Sequence, residues 1–374
     1  MTAKTILLAK YAQIVASTDV ISADEVTPIL QGIYGEVGGI MATAKKHIRE
    51  GSAYPGFRQA AIEEFGDALW YLTALCHRRS LKLEAVFAHA AGNGTFDHSL
   101  AASDIAGGAV ARISIPGSGR PVDDVLFRLA RAAADLLDPE CEERAIVEFA
   151  GAYLAALGAA NISFADVVSE NINKVTSAFS EPALSDMPDF DKEFNVEEQL
   201  PRHFRVRINQ RSSGKSYLQW NGVFIGDPLT DNIGDPDGYR FHDVFHFAYA
   251  AILHWSPVLR ALIKHKRKSR SEYDEQQDGG RAIVVEEGIA AWLFARSKDL
   301  NYFEGQQKVS LDVLKTVREF TVGFEVEHCP MKLWERAILQ GFEVFRMVRA
   351  AEGGWVVGDR VARTLIFEPL EAEV

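Results

Sequence analysis

Apolar residues along the first 180 positions recur at helical spacing. Ile6, Ala9, Tyr11, Ile14 and Val15 predict a helix over 5–17. Pro28 suits the first turn of a second helix, which the pattern carries to Glu50, with Gly51 as its stop. After a Pro55–Gly56 loop, a third helix is predicted from Phe57 to Arg79, and a shorter one from Leu83. Residues 92–120 are rich in Gly, Ser and Ala, with Pro116 and Pro121, and read as a linker or insertion. Sliding the chain by about 81 residues sets Ser80–Leu83 over Asn161–Phe164 and Asp67 over Glu148, while Glu64 falls on Ala145. On that register 121–180 is a degenerate second copy of the unit at about 1–92, an intrachain pseudo-dimer. The plain alternative is that helices rich in Ala and Leu match by chance.

Residues 181–200 are acidic and proline-bearing, which suits an interdomain linker. The period then changes. Phe204, Val206 and Ile208 alternate with Arg205, Arg207 and Asn209 as in a strand, and Ser216–Ile225 reads as a hairpin turning at Asn221–Gly222. Helices are expected over about 240–253, 257–266, 281–297, 311–324 and 331–350, with strands again at Trp355–Val357 and Thr364–Phe367. The fold expected is mainly α: an all-α helical bundle over 1–180 and an α+β domain with a small antiparallel sheet over 201–374.

Two helical segments carry chemistry. Glu64 and Asp67 lie three apart in an otherwise apolar helix, so both face one side and can grip one hard cation. The preceding helix supplies a third carboxylate, Glu36. Magnesium takes oxygen ligands and keeps several waters, so carboxylates plus substrate phosphates suit it. The bland reading is the solvated faces of amphipathic helices. Glu63 is turned about 100° from Glu64 on an ideal helix.

These segments, with Leu81–Val86 after them, resemble the all-α nucleoside triphosphate pyrophosphohydrolases of the MazG type. That family is marked by E-x-x-E on one helix and E-x-x-D on the next. Glu36, Glu64 and Asp67 match three of the four positions, and Gly39 stands at the fourth. Asn171 to Phe179 resembles the family's N-x-x-K tail, which gives Asn171 and Lys174 a substrate-binding role. The resemblance implies magnesium-dependent hydrolysis of a nucleoside triphosphate or related nucleotide to monophosphate and pyrophosphate. Glu36, Glu64 and Asp67 would be both metal ligands and catalytic. Lys45, Lys46 and Arg49, on the helix of Glu36, would meet phosphate oxygens, or form an exposed basic helix end. With Gly39 replacing a ligand, the alternative is a nucleotide sensor that regulates the second domain. The second domain resembles the C-terminal region fused to some members of the family. Because such units pair to bury their apolar helix faces, a homodimer is expected.

A second constellation lies at Tyr239–His246. His242 and His246 are four apart on one helix face, the spacing used by metal-binding histidines. Glu286 and Glu287 lie in a later, mostly apolar helix. Two histidines and a glutamate would make a three-ligand site for zinc or another divalent metal, and hence a metallohydrolase. Asp243 stands where H-E-x-x-H has its general-base glutamate, one methylene shorter. The alternative is a buried polar network in which Asp243 and Glu287 hydrogen-bond the histidines.

Net charge at pH 7 is −12, which argues against broad binding to nucleic acid. Three scattered cysteines without C-x-x-C spacing suit a reducing compartment. Charge interrupts the run from Ile6 to Tyr11 before it forms a signal segment, and no apolar run reaches membrane-spanning length. A cytoplasmic protein with no membrane partner is the expectation.

Overall fold

The computed structural model describes residues 4–91, 96–102, 109–113, 121–138, 141–183 and 187–370. The chain divides into two compact units, 1–180 and 181–374. It is mainly helical, with a five-stranded antiparallel sheet in the second unit. Among the described residues, no single helix is long and apolar enough to cross a membrane.

The first unit holds α1 (Leu8–Thr18), α2 (Thr27–Glu50), α3 (Phe57–Arg78), α4 (Leu83–Ala91), α5 (Val122–Asp135), α6 (Glu143–Ala159) and α7 (Phe164–Phe179). Pro28 sits in the first turn of α2, and Ser163 caps α7 by accepting the Asp166 N–H. Ile33, Val37 and Ile40 of α2 share one core with Phe65, Leu69 and Leu72 of α3, Phe149 and Tyr153 of α6 and Val168 of α7. Two glycines bring α2 and α3 close. A Cβ at Gly32 would lie 2.3 Å from the Tyr71 ring, and one at Gly39 would lie 1.9 Å from Glu64 Oε2. Seven residues return almost to the same helix face, so both glycines lie on the stripe of α2 that also carries Glu36.

This unit is not purely helical. Three short strands, β1 (Lys4–Leu7), β2 (Phe96–Ala102) and β3 (Ala109–Ile113), form an antiparallel sheet in that order. The sequence reading put a helix at 5–17 and a linker or insertion at 92–120. Strands this short and this rich in Ala and Ser carry too weak a period-two signal to compete with those readings. The remainder of 92–120, including Pro116, lies outside the described residues.

The α3–α4 and α6–α7 joints are built alike. Ser80 and Asn161 both take positive φ, 55° and 52°. Each is followed by a residue whose N–H closes on a carbonyl five back: Leu81 on Cys76 at 2.8 Å, and Ile162 on Leu157 at 3.0 Å. This is the Schellman pattern of helix termination, repeated at a spacing of 81 residues.

In the second unit the sheet runs β6 (Val223–Leu229), β5 (Ser216–Trp220), β4 (His203–Gln210), β7 (Gly353–Asp359) and β8 (Thr364–Glu368). Phe204, Val206 and Ile208 of β4 are buried, as the alternation predicts. Asn221 and Gly222 both take positive φ, the conformation that a two-residue hairpin turn of this twist requires. Beside the sheet pack α8 (Asp243–Ala248), extended by a π-turn at Tyr249–Leu253, then α9 (Pro257–Ile263), α10 (Gly280–Ser297), α11 (Leu311–Phe320) and α12 (Met331–Ala351).

Buried charge organises this unit. Arg267 is 0% exposed and pairs with Asp278 and with Glu325, both at 2.6 Å. Arg260, also buried, pairs with Asp191, and Arg360 lies 3.0 Å from Asp189 and 3.3 Å from Asp191. Asp191 accepts the Leu200 N–H as well, at 2.8 Å. The stretch expected as a linker, 181–200, therefore packs into the second unit. Its acidic residues neutralise buried arginines, and acidity alone did not distinguish that role from solvation.

Removing one partner from a buried pair leaves its charge unpaired, at a cost of about 3–5 kcal/mol. Asp278→Ala should lower stability by about that much, whereas Arg144→Ala, whose pair with Glu148 is exposed, should leave it nearly unchanged. Denaturant midpoints of the two variants measure the difference.

Candidate functional site

The first site is built on α2, α3 and α7. Glu36 on α2 meets Glu64 and Asp67 on α3, and α7 brings Asn171 and Lys174 against Asp67. Lys174 donates to Glu63 at 2.9 Å and also pairs with Asp67. Asn171 Nδ2 reaches Asp67 Oδ1 at 3.5 Å, and its own Oδ1 accepts the hydroxyl of buried Tyr11 at 2.8 Å. Thus Tyr11 positions Asn171, and Glu63 shares the lysine, roles that no motif marked.

Lys174 is shared by Asp67 and Glu63, and Glu36 lies close enough to feel its charge. Burial works against the charged form of Lys174, but Asp67 and Glu63 outweigh it and hold its pKa above the ordinary value. Burial, Asp67 and Glu64 together push the Glu36 carboxyl up to about 8. Gly39, where the motif has its second glutamate, leaves the room that the Glu64 carboxylate fills.

The structure does not bring Lys45, Lys46 and Arg49 to this cluster. Lys45 is about 13 Å further along α2 than Glu36 and half a turn round it. Lys45 and Arg49 instead line a groove of about 360 Å³ with Asp123, Leu126 and Phe127, and Arg49 pairs with Glu50. Sharing a helix with Glu36 did not mean sharing its face.

The second site lies between α8 and α10. His246 is fully buried, with Nδ1 2.9 Å from Glu286 Oε1. Glu286, equally buried, also accepts the Ser256 hydroxyl at 2.6 Å and the Val258 N–H at 2.8 Å. His242 Nδ1 lies 2.9 Å from the Tyr239 carbonyl, and its ring stacks on that of Tyr239 at 4.4 Å. A carbonyl only accepts, so His242 Nδ1 carries the proton there. Both histidines then turn Nε2 toward Glu287 Oε2, at 3.5 Å from His242 and 3.4 Å from His246.

Burial opposes protonation of His246, but Glu286 and Glu287 outweigh it and push its pKa up to about 10. Burial likewise opposes ionisation of Glu287, yet the two histidines hold it well below the usual carboxylate range. Asp243 is buried with Oδ2 lacking any hydrogen bond, and burial raises its pKa. Among the described residues, one group of three potential metal ligands has donor atoms all within 4.8 Å of one another: His242, His246 and Glu287. Sequence spacing brought out these three residues but missed Ser256 and gave no role to Tyr239, whose contacts orient the histidines and Glu286 without any motif encoding them.

Residues 185–371, half of the chain, match the MazG C-terminal domain family. No curated protein and no solved structure matches the chain. The match spans nearly all of the second unit, and the chain belongs to the MazG-type family that carries this C-terminal domain.

Proposed function

We propose that the first unit is a magnesium-dependent nucleoside triphosphate pyrophosphohydrolase, releasing nucleoside monophosphate and pyrophosphate. The observation that carries this reading is the meeting of Glu36 on α2 with Glu64 and Asp67 on α3, close enough that Glu36 is pushed up to about 8. A fold tolerates such crowding where a divalent cation relieves it. Family membership and the E-x-x-D motif of α3 support the same reading. The residues fit the ion: Glu36, Glu64 and Asp67 would hold magnesium, which supplies charge neutralisation for the phosphates and activates a water. Lys174 is placed to exchange a carboxylate for a phosphate oxygen when nucleotide binds, and Asn171 to orient Asp67. The repeated helix joints support reading 1–180 as a duplicated unit, with carboxylates from the first copy and Asn171 and Lys174 from the second.

Pyrophosphate release from a panel of nucleoside triphosphates tests the proposal. Glu64→Ala or Asp67→Ala should reduce turnover by more than the 10–100-fold that losing an outer-shell partner costs. Turnover that survives both changes removes the assignment. Nucleotide binding by wild type without turnover would point to the sensor reading instead.

Gly39→Ala should separate stability from function. Alanine favours the helix by roughly 1 kcal/mol, and the atom in its way is the mobile end of Glu64. The variant should melt no lower than wild type yet bind magnesium more weakly, because the Glu64 carboxylate is displaced. Thermal melts with and without magnesium read both effects.

A pH dependence follows from Glu36. Its carboxyl is raised on folding from 4.5 to about 8, so the protonated group contributes stability that is fully present below pH 4.5. That contribution is lost as pH rises through about 8. In chelator, wild type should lose more stability than Glu36→Gln between pH 6 and pH 8, as followed by denaturant midpoints.

A further inference from the structure

We propose that the second unit holds a zinc-class divalent transition metal on His242 Nε2, His246 Nε2 and Glu287, with a fourth position open to solvent. This rests on a different unit and different residues from the nucleotide reading. Both Nδ1 atoms are committed to oxygen acceptors, His246 to Glu286 and His242 to the Tyr239 carbonyl, each at 2.9 Å. Such acceptors fix the tautomer of a metal-binding histidine and leave the other nitrogen's lone pair free. Here the two Nε2 atoms converge on one carboxylate oxygen, and a metal bound there would displace the proton that His246 holds.

The histidine-to-glutamate separations favour a metal over an ion pair. A charge-assisted N–H···O contact closes to about 2.7–2.9 Å. Glu287 Oε2 stands off at 3.4 and 3.5 Å, and His246 Nε2, fully buried, has no hydrogen-bond partner. With metal–ligand bonds of about 2.0–2.2 Å, adjacent corners of a tetrahedron are separated by about 3.3–3.5 Å. The histidine-to-glutamate separations match that edge.

The surroundings suit the same assignment. His246 and Glu286 are buried to 0% side-chain exposure, while Glu287 is 41% exposed, so the cluster has a closed floor and an open mouth. Glu286 is held by Ser256 and by the Val258 N–H, which makes the support of His246 rigid. Asp243 adds a buried oxygen without a hydrogen bond beside the two histidines. Two imidazoles and one carboxylate form a donor set that favours Zn2+ and its neighbours over Mg2+ or Ca2+.

The test is metal content of the full chain, purified without chelator, followed by titration of chelator-stripped protein with Zn2+ and Co2+. The expected result is one equivalent of zinc per chain, and visible Co2+ bands typical of four-coordination. Both should disappear in His242→Ala and in Glu287→Gln, a near-isosteric change at the exposed edge that spares the core. Glu286→Gln should weaken binding ten- to a hundredfold. Glu64→Ala, in the other unit, should retain the zinc. Folded wild type that carries no metal and takes up neither ion overturns the proposal in favour of a histidine–carboxylate ion pair. Metal retained undiminished in both His242→Ala and Glu287→Gln, with circular dichroism unchanged, overturns it too.

Discussion

A charge taken out of water has to meet its opposite or a full set of hydrogen bonds, and both units are arranged around that requirement. In the second unit, buried Arg260 and Arg267 draw Asp191, Asp278 and Glu325 together from distant parts of the chain. That pairing ties the segment before the first strand of its sheet to the loops around α9 and α11. In the first unit, buried Lys174 pairs with Asp67 and Glu63. In each unit a buried cation thus ties together elements that lie far apart in sequence.

Glu286 makes the same point on a smaller scale. Three donors, from Ser256, Val258 and His246, satisfy it inside the protein. Its neighbour Glu287 lies about 100° round α10 and reaches the opposite edge of the same imidazole. One carboxylate orients the ring and the other shares its open side. Sequence adjacency thus yields two roles, because consecutive helix positions face different surroundings.

Much of this was legible in the sequence, for reasons that also mark its limits. The apolar period located most helices. Asn221–Gly222 marked the hairpin because few other residue pairs take positive φ at two successive positions. Glu36, Glu64 and Asp67 were visible as a motif, as were His242 and His246. Burial of charge was not visible. Arg267 sits in a run of basic residues, Lys264 to Arg270, that reads as a solvated helix end, yet it is fully buried. The acids that neutralise it lie at 278 and 325, too distant in sequence for any local pattern to pair them. Lys45 and Arg49 failed for the converse reason, since proximity along a helix concealed a half-turn between faces. Gly39 was legible as a missing carboxylate but not as the space into which Glu64 folds.

The asymmetry between the halves of the first unit follows from that packing. Ser80 and Asn161 end α3 and α6 with the same cap. At the positions aligned with Glu64 and Asp67 the second half has Ala145 and Glu148, and Glu148 points outward to pair with exposed Arg144. We read this as a division of labour. Two carboxylate clusters facing each other would double a repulsion that already pushes Glu36 up to about 8. With the second set gone, α7 can instead deliver an asparagine and a lysine into the first. The ammonium of Lys174 thereby reaches Asp67 and Glu63 on α3.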